Sequence, residues 1–467
     1  MSNHSVTPIP VTKILGEFIA QFEWEQASAK VKEIMPILMI DYFRAGIAGQ
    51  DRYWTNLVTE LYESHTSDRT ASVLYSDLKI DISRAAFING VASGSLDWDD
   101  SHVAAIIHPG VVVWPAAIAM AEHVNATGKE LLTAVLVGYE TAIRIGMSIQ
   151  PEHSLRGFQG TPTCGVFGAA AACARLLKLS PDKCRDALGI AATFSCGISQ
   201  FFVSGSDIKR FHSGKAAANG IEAALLAYKG LTGPPDAIEG TQGFARAFSD
   251  RFNSETVISN LFHDFVTEWV SLKPHVGSVR MQAAIEAASI LSKEGLKAEQ
   301  IQSITIGIHG AMVSKLASNQ PVDVQQAQLS TPFAVAMALI IGESRNGLLA
   351  LSIDDYESHI QDSKVRDLCG RTTCVVDSEV ELSTTKESVA GRVTCHLKDG
   401  TTRSAFVSSP KGCPENPMSI KEVADRFQGL GAAVFLKSDC DNWLHHAVHV
   451  QDLQSITPLM NLRKYKV

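Results

Sequence analysis

Paired cysteine spacing is missing from this 467-residue chain. Its nine cysteines, Cys164, Cys173, Cys184, Cys196, Cys369, Cys374, Cys395, Cys413 and Cys440, are odd in number and widely scattered, which argues against a disulfide framework and reads as reduced thiols. An excess of basic charge is missing too. The 41 Lys and Arg against 49 Asp and Glu leave a net charge of −8, so nucleic acid is not an expected partner. No Gly-x-Gly-x-x-Gly follows a strand pattern, so a bound dinucleotide is not indicated. The first 15 residues lack the basic start and apolar core of a secretory leader. The longest apolar stretch, from Val111, is broken by Pro115 and Glu122, and no run is expected to cross a bilayer. A cytoplasmic protein with no membrane partner is therefore expected. Internal repeats and low-complexity tracts are absent as well.

What is present is material for a large core. Hydrophobic residues make up 45% of the chain and charged residues 19%, a globular balance, and the length suits two or three domains. The acidic net charge does not exclude an anionic substrate, because a few buried cations make a positive pocket.

Up to about Leu272 the pattern is helical. Residues 115–124 are apolar and alanine-rich, 125–129 form a turn, and 130–146 resume at helical period, which predicts a helical hairpin. Ser180-Pro181 opens a further helix, with a hydroxyl cap and proline in the first helical position. Segments 165–177 and 216–228 are dense in small residues, which allow close helix approach. The character changes near Lys273-Pro274. Residues 301–309, 378–382, 392–397 and 401–407 read as strands, the last two joined by a turn at Asp399-Gly400, with a helix over 331–341. After Pro410 helix returns, with Ser419 as a cap. The expected fold is mainly α: a large helical domain, 1–272 and 406–467, interrupted by a smaller α+β lid at 273–405.

Three clusters could carry chemistry. Leu96-Asp97-Trp98-Asp99-Asp100-Ser101-His102 precedes His108-Pro109-Gly110. If 97–101 is a helical turn, Asp97, Asp100 and Ser101 share one face, and the crowded acids need a cation nearby. Acids that cap a helix end or face solvent also fit the spacing, and spacing alone favours them. Gly205-Ser206-Asp207-Ile208-Lys209-Arg210-Phe211-His212-Ser213-Gly214-Lys215 leads into an alanine-rich helix expected from Ala216, and reads as an anion site at a helix start or as a solvated basic turn. Lys273-Pro274-His275-Val276-Gly277-Ser278-Val279-Arg280 stands at the expected junction, as a ligand cleft or a hinge with an incidental lysine. His445, His446 and His449 lack the partner spacing of a metal site and are read as part of a packed helix, so no metal is expected.

Taken together these blocks resemble the MmgE/PrpD family. The likeness is carried by Ser83-Arg84-Ala85-Ala86-Phe87-Ile88-Asn89-Gly90, by Leu96-Asp97-Trp98-Asp99-Asp100, by His108-Pro109, and by Asp207 to Lys215 with Asn219-Gly220. It continues in Gly230-Leu231-Thr232-Gly233-Pro234, Lys273-Pro274, Gln326-Ala327-Gln328-Leu329-Ser330-Thr331-Pro332-Phe333 and Pro410-Lys411-Gly412-Cys413-Pro414-Glu415-Asn416-Pro417. The resemblance implies a homodimer, no metal or organic cofactor, and an active site between the domains. It implies pocket roles for Asp97, Ser101, His108, Lys209 and Lys273, with Ser101 where a threonine is usual. By the same resemblance, Gln159 stands where relatives commonly have histidine, and Ser278 and Gln282 fall where histidines occur in decarboxylating members of the family. Glutamine keeps hydrogen-bonding capacity but transfers no proton near neutral pH.

The expectation is a lyase that decarboxylates or dehydrates a small di- or tricarboxylate. His108 would move the proton, Asp97 and Ser101 would orient it or the substrate, and Lys209 and Lys273 would clamp carboxylates. Arg210 and Arg280 would assist, with Gln159, Ser278 and Gln282 also lining the substrate. An epimerase or isomerase, as for iminodisuccinate, needs the same carbanion stabilisation, and a carboxylate-binding protein without chemistry is the third reading.

Overall fold

The computed structural model describes residues 9–64, 70–344 and 350–465. The chain divides into two units. The first takes the residues up to Ser95, Ala104–Glu268 and the residues from Ser419, and the second takes Leu96–Val103 with Trp269–Met418. The fold is mainly α with a small sheet, as the sequence leads one to expect.

In the first unit the expected hairpin is helix Gly110–Val124 followed by helix Gly128–Ile149. Asn125 ends the first helix in the left-handed conformation, and Thr127 with Glu130 forms a capping box that starts the second. Helix Gly160–Leu176 crosses Gly128–Ile149 so closely that a Cβ on Gly168 would lie 2.6 Å from the Gly138 carbonyl oxygen. Only paired glycines permit that approach, which explains the run of small residues. Trp114, Tyr139 and Phe167 are fully buried around it. Ser180 caps helix Pro181–Phe194, and Ser419 with Glu422 boxes the start of Ile420–Gly431. Gly128–Ile149 is, by length and composition, apolar enough to cross a membrane, which corrects the expectation that no segment is; 94% of its apolar window is buried inside the protein. Helix Lys437–Val448 buries Cys440, Trp443, Leu444 and Ala447.

The second unit holds a four-stranded sheet in the order Thr372–Val376, Ile301–Ile308, Gly391–Leu397, Thr402–Val407. The first pair is parallel and the others antiparallel. At the hairpin turn Gly400 takes φ 87°, and Asp399 Oδ1 accepts from Thr401 N at 2.9 Å. Two expectations change. Residues 378–382 are not a strand but belong to helix Ser378–Ser383, because Asp377 Oδ1 caps the amides of Glu379 and Val380. The strand lies just before it, at Thr372–Val376, on a sheet edge where exposed residues hide the alternation.

Candidate active site

The acidic cluster is not a helical turn. Asp97 sits at φ 53°, and Ser101–His102 form a short strand paired antiparallel with Val270–Ser271. The shared helical face expected for Asp97, Asp100 and Ser101 therefore does not exist. A left-handed aspartate is tolerable because the turn is held on several sides. Gly277 N donates to the Asp97 carbonyl at 3.2 Å, Gln328 Nε2 to the Leu96 carbonyl at 2.9 Å, and Trp98 Nε1 to the Pro274 carbonyl at 3.1 Å.

Lys273 is the cation that the acids require. Its Nζ donates to Asp97 Oδ1 at 2.7 Å and to the Asp97 carbonyl at 2.8 Å, and stands 3.5 Å from Asp99 Oδ1. The lysine is 0% exposed. Burial pushes its pKa down, but Asp97, Asp99 and Asp100 outweigh burial and hold it above the ordinary lysine value, so it stays charged. The structure thus places Lys273 in an ion pair with the protein's own carboxylates.

The other second-unit candidates divide. Ser278 Oγ accepts from Arg280 N at 3.3 Å and caps the short helix Val279–Met281. Gln282 is buried and spends its amide on backbone: Oε1 accepts from His275 N, and Nε2 donates to the His275 and Ser278 carbonyls, all at 3.1 Å. It braces this loop. Arg280 donates to the Val103 carbonyl at 3.3 Å, and burial pulls its pKa below the usual value. Among the described residues no carboxylate pairs with it, so it keeps charge to offer. His275, which the sequence reading passed over, accepts from Leu351 N at Nδ1, 3.1 Å, so its proton is on Nε2.

In the first unit the start of helix Gly160–Leu176 gathers His108 and Gln159. A Cβ on Gly160 would meet the Ile106 carbonyl at 2.7 Å, so the turn carrying His108 lies directly against this helix. His108 N donates to Thr161 Oγ1 at 3.1 Å, and the imidazole is half-buried. Ile106 takes φ 52°, a costly conformation for a β-branched residue, so packing dictates the turn.

Gln159 ends a directed chain of hydrogen bonds. Gln150 Nε2 donates to His153 Nδ1 at 3.4 Å, His153 Nε2 donates to Thr163 Oγ1 at 2.9 Å, and Thr163 Oγ1 donates to the Gln159 carbonyl at 2.9 Å. Burial and, secondarily, Arg156 push His153 down to about 4, which fits a neutral ring relaying one proton position. The Gln159 side chain accepts at Oε1 from His212 Nδ1.

The basic cluster corrects a boundary. Its helix is Lys209–Tyr228, starting seven residues before the expected Ala216, so Gly214-Lys215 lies inside it. Gly214 is there because the helix packs against the Phe87 carbonyl, where a side chain would collide. Lys209 and His212 therefore share a face at i and i+3. Arg210, expected to help bind substrate, is buried with its guanidinium 4.1 Å from the Trp54 ring centroid and 3.2 Å from Asp207 Oδ1. His212 is the residue the sequence reading missed, and its spacing from Lys209 was the signal available. A separate cleft of about 700 Å³ in this unit, lined by Trp24, Lys129, Glu130, Arg175 and Lys178 among others, contains none of these side chains. Its cations are engaged by Glu25, Glu23 and Glu130.

Comparison with known proteins adds the wider frame. The family model described as the MmgE/PrpD N-terminal domain matches residues 13–256, and that of the MmgE/PrpD C-terminal domain matches residues 277–449. The cis-aconitate decarboxylase-like protein oryM of Aspergillus oryzae is 26% identical over 91% of this chain and 91% of its own length. The cis-aconitate decarboxylase of Aspergillus terreus is 25% identical over 97% of this chain and 95% of its own. The human cis-aconitate decarboxylase is 25% identical over 91% and 89%.

Proposed function

The chain belongs to the MmgE/PrpD family, and from that premise we propose that it is a cofactor-free cytoplasmic lyase that decarboxylates or dehydrates a small polycarboxylate. The observation that carries the reading is the end-to-end similarity to proteins named cis-aconitate decarboxylase, covering 91–97% of this chain. Local geometry supports it. Decarboxylation breaks a carbon–carbon bond, leaves its electron pair on carbon beside an unsaturated or carboxylate group, and needs one proton delivered to that carbon. Dehydration takes a proton from carbon and expels hydroxide as water. His108, half-buried in a turn set by packing, is the group this reading assigns to the proton. Lys209, in the first turn of its helix, is assigned to a substrate carboxylate, where charge-assisted bonding is strongest. Arg280, whose desolvated cation has a neutral acceptor, is assigned the same role. Lys273 is assigned to hold the Asp97 turn. A homodimer, as the family resemblance implies, completes the proposal.

Substrate charge is part of the proposal. Gln159, Ser278 and Gln282 are neutral, so the three positions that the family resemblance sets against histidines of decarboxylase-like members supply no charge here. A dicarboxylate should be preferred over cis-aconitate and 2-methylcitrate. Comparison of kcat/KM across matched di- and tricarboxylates tests this. A clear preference for cis-aconitate or 2-methylcitrate would overturn it.

A further inference from the structure

We propose that His212 is a further substrate-contacting residue of the first unit, a hydrogen-bond acceptor that selects a carboxylate substrate bearing an O–H or N–H donor; this rests on the function proposed above and deepens it. An amide oxygen only accepts, so the bond to Gln159 Oε1 fixes a proton on His212 Nδ1. The opposite nitrogen, Nε2, then presents a lone pair. Among the described residues the bond to Gln159 is the one hydrogen bond the His212 ring makes, and the ring remains partly open. Its orientation is set. Phe201 packs against it edge-on with centroids 5.8 Å apart, and Gly197 lies beside the ring on its Cε1 side. The Gln159 backbone is itself fixed, its N donating to the Gly197 carbonyl at 3.2 Å and its carbonyl accepting from Thr163 Oγ1. Burial and then Lys209 push His212 down to about 4, so near neutral pH the ring carries no second proton.

Lys209 supplies the other half of the argument. Residues at i and i+3 of a helix lie about 5–6 Å apart at Cβ, the scale of a small hydroxy acid. A carboxylate held by Lys209 would bring an adjacent hydroxyl or amino group to His212 Nε2. A substrate without that donor leaves the imidazole nitrogen desolvated and unpaired, and sites built to bond a hydroxyl discriminate strongly against analogues lacking one.

The test is calorimetric binding of matched acids: succinate, malate and aspartate, then tricarballylate and citrate. The wild type should bind the donor-bearing member of each set at least about fivefold more tightly. His212→Asn keeps a donor toward Gln159 but lacks Nε2 and should erase the preference, whereas His212→Gln, whose amide oxygen reaches toward the Nε2 position, should restore part of it. Equal binding of donor and non-donor acids by the wild type would overturn the inference alone. So would a preference undiminished in His212→Asn. If none of the acids binds, the polycarboxylate reading falls with it. Independently of any variant, two-bond proton–nitrogen correlation spectra of the wild type should show His212 protonated at Nδ1 and bare at Nε2; a proton on Nε2 at neutral pH would overturn the inference.

Discussion

A lysine with no exposed surface and two carboxylates within 3.5 Å of its nitrogen is held by those carboxylates, and they by it. Removing one partner of a buried ion pair leaves an uncompensated charge, at a cost of about 3–5 kcal/mol. Lys273→Met should therefore lower the denaturant midpoint substantially, and an unchanged midpoint would remove Lys273 from the structural role given to it. The pair is insensitive to mild alkali: a folded-state pKa above the ordinary lysine value means that its stabilisation is complete at neutral pH and is lost only as pH rises through that higher value. His153 works in the opposite sense. Its folded pKa of about 4 lies below the ordinary 6.5, so the unfolded chain takes up its proton first. Stability is full above pH 6.5 and declines as pH falls toward 4, by roughly 3 kcal/mol for this buried ring. Urea unfolding at pH 7 and pH 4.5 should show a smaller acid-induced loss in His153→Asn than in the wild type. An identical loss in both would contradict the assignment. At this scale the sequence identifies the residue types but not their partners: nothing in Lys273-Pro274 announces that the ammonium turns toward Asp97, and nothing in Gln282 announces an amide spent on backbone.

Between residues and the whole chain, elements were legible where local chemistry was strong. Ser180 and Ser419 mark helix starts by hydroxyls that act within three residues, and the structure uses both; the turn read at 125–129 is there too, with Asn125 ending one helix and Thr127 capping the next. Legibility failed where a tertiary contact decided. The helix containing His212 runs back to Lys209, and Gly214, which reads locally as a breaker, lies inside it where the helix passes the Phe87 carbonyl. The alternation over 378–382 misled because a short apolar–polar run suits one helical turn as well as a strand, and Asp377 settles it. The Gly138–Gly168 crossing gives a direct measure of packing. A side chain at Gly168 must displace the Gly138 carbonyl or the Ala142 methyl, 2.6 and 2.8 Å from its Cβ position. Gly168→Val should destabilise by at least about 1–3 kcal/mol, the usual penalty of overpacking, and a thermal midpoint equal to wild type would show that the crossing is loose.

For the molecule as a whole, mainly helical character and a smaller sheet-bearing part follow from periodicity, and both are present. The grouping of Leu96–Val103 with Trp269–Met418 does not, because strand Ser101–His102 pairs with Val270–Ser271 across a long sequence separation that no local pattern encodes. Candidate site residues were legible mainly through motif resemblance: Asp97, His108, Lys209 and Lys273 came that way, while the hydrogen-bond chain through His153 and Thr163 to Gln159 required coordinates. The central claim is chemical, that the protein cleaves or eliminates from a carbon acid with His108 moving the proton. Its most direct test is proton NMR of the wild type and His108→Asn in deuterated water with a panel of citrate-, aconitate- and succinate-type acids. The account predicts loss of carbon dioxide or water by the wild type, with any proton the protein delivers to carbon appearing as deuterium in the product, and turnover at least about a hundredfold slower in His108→Asn. Deuterium entering a stereocentre with nothing lost, or binding without any reaction, would contradict it.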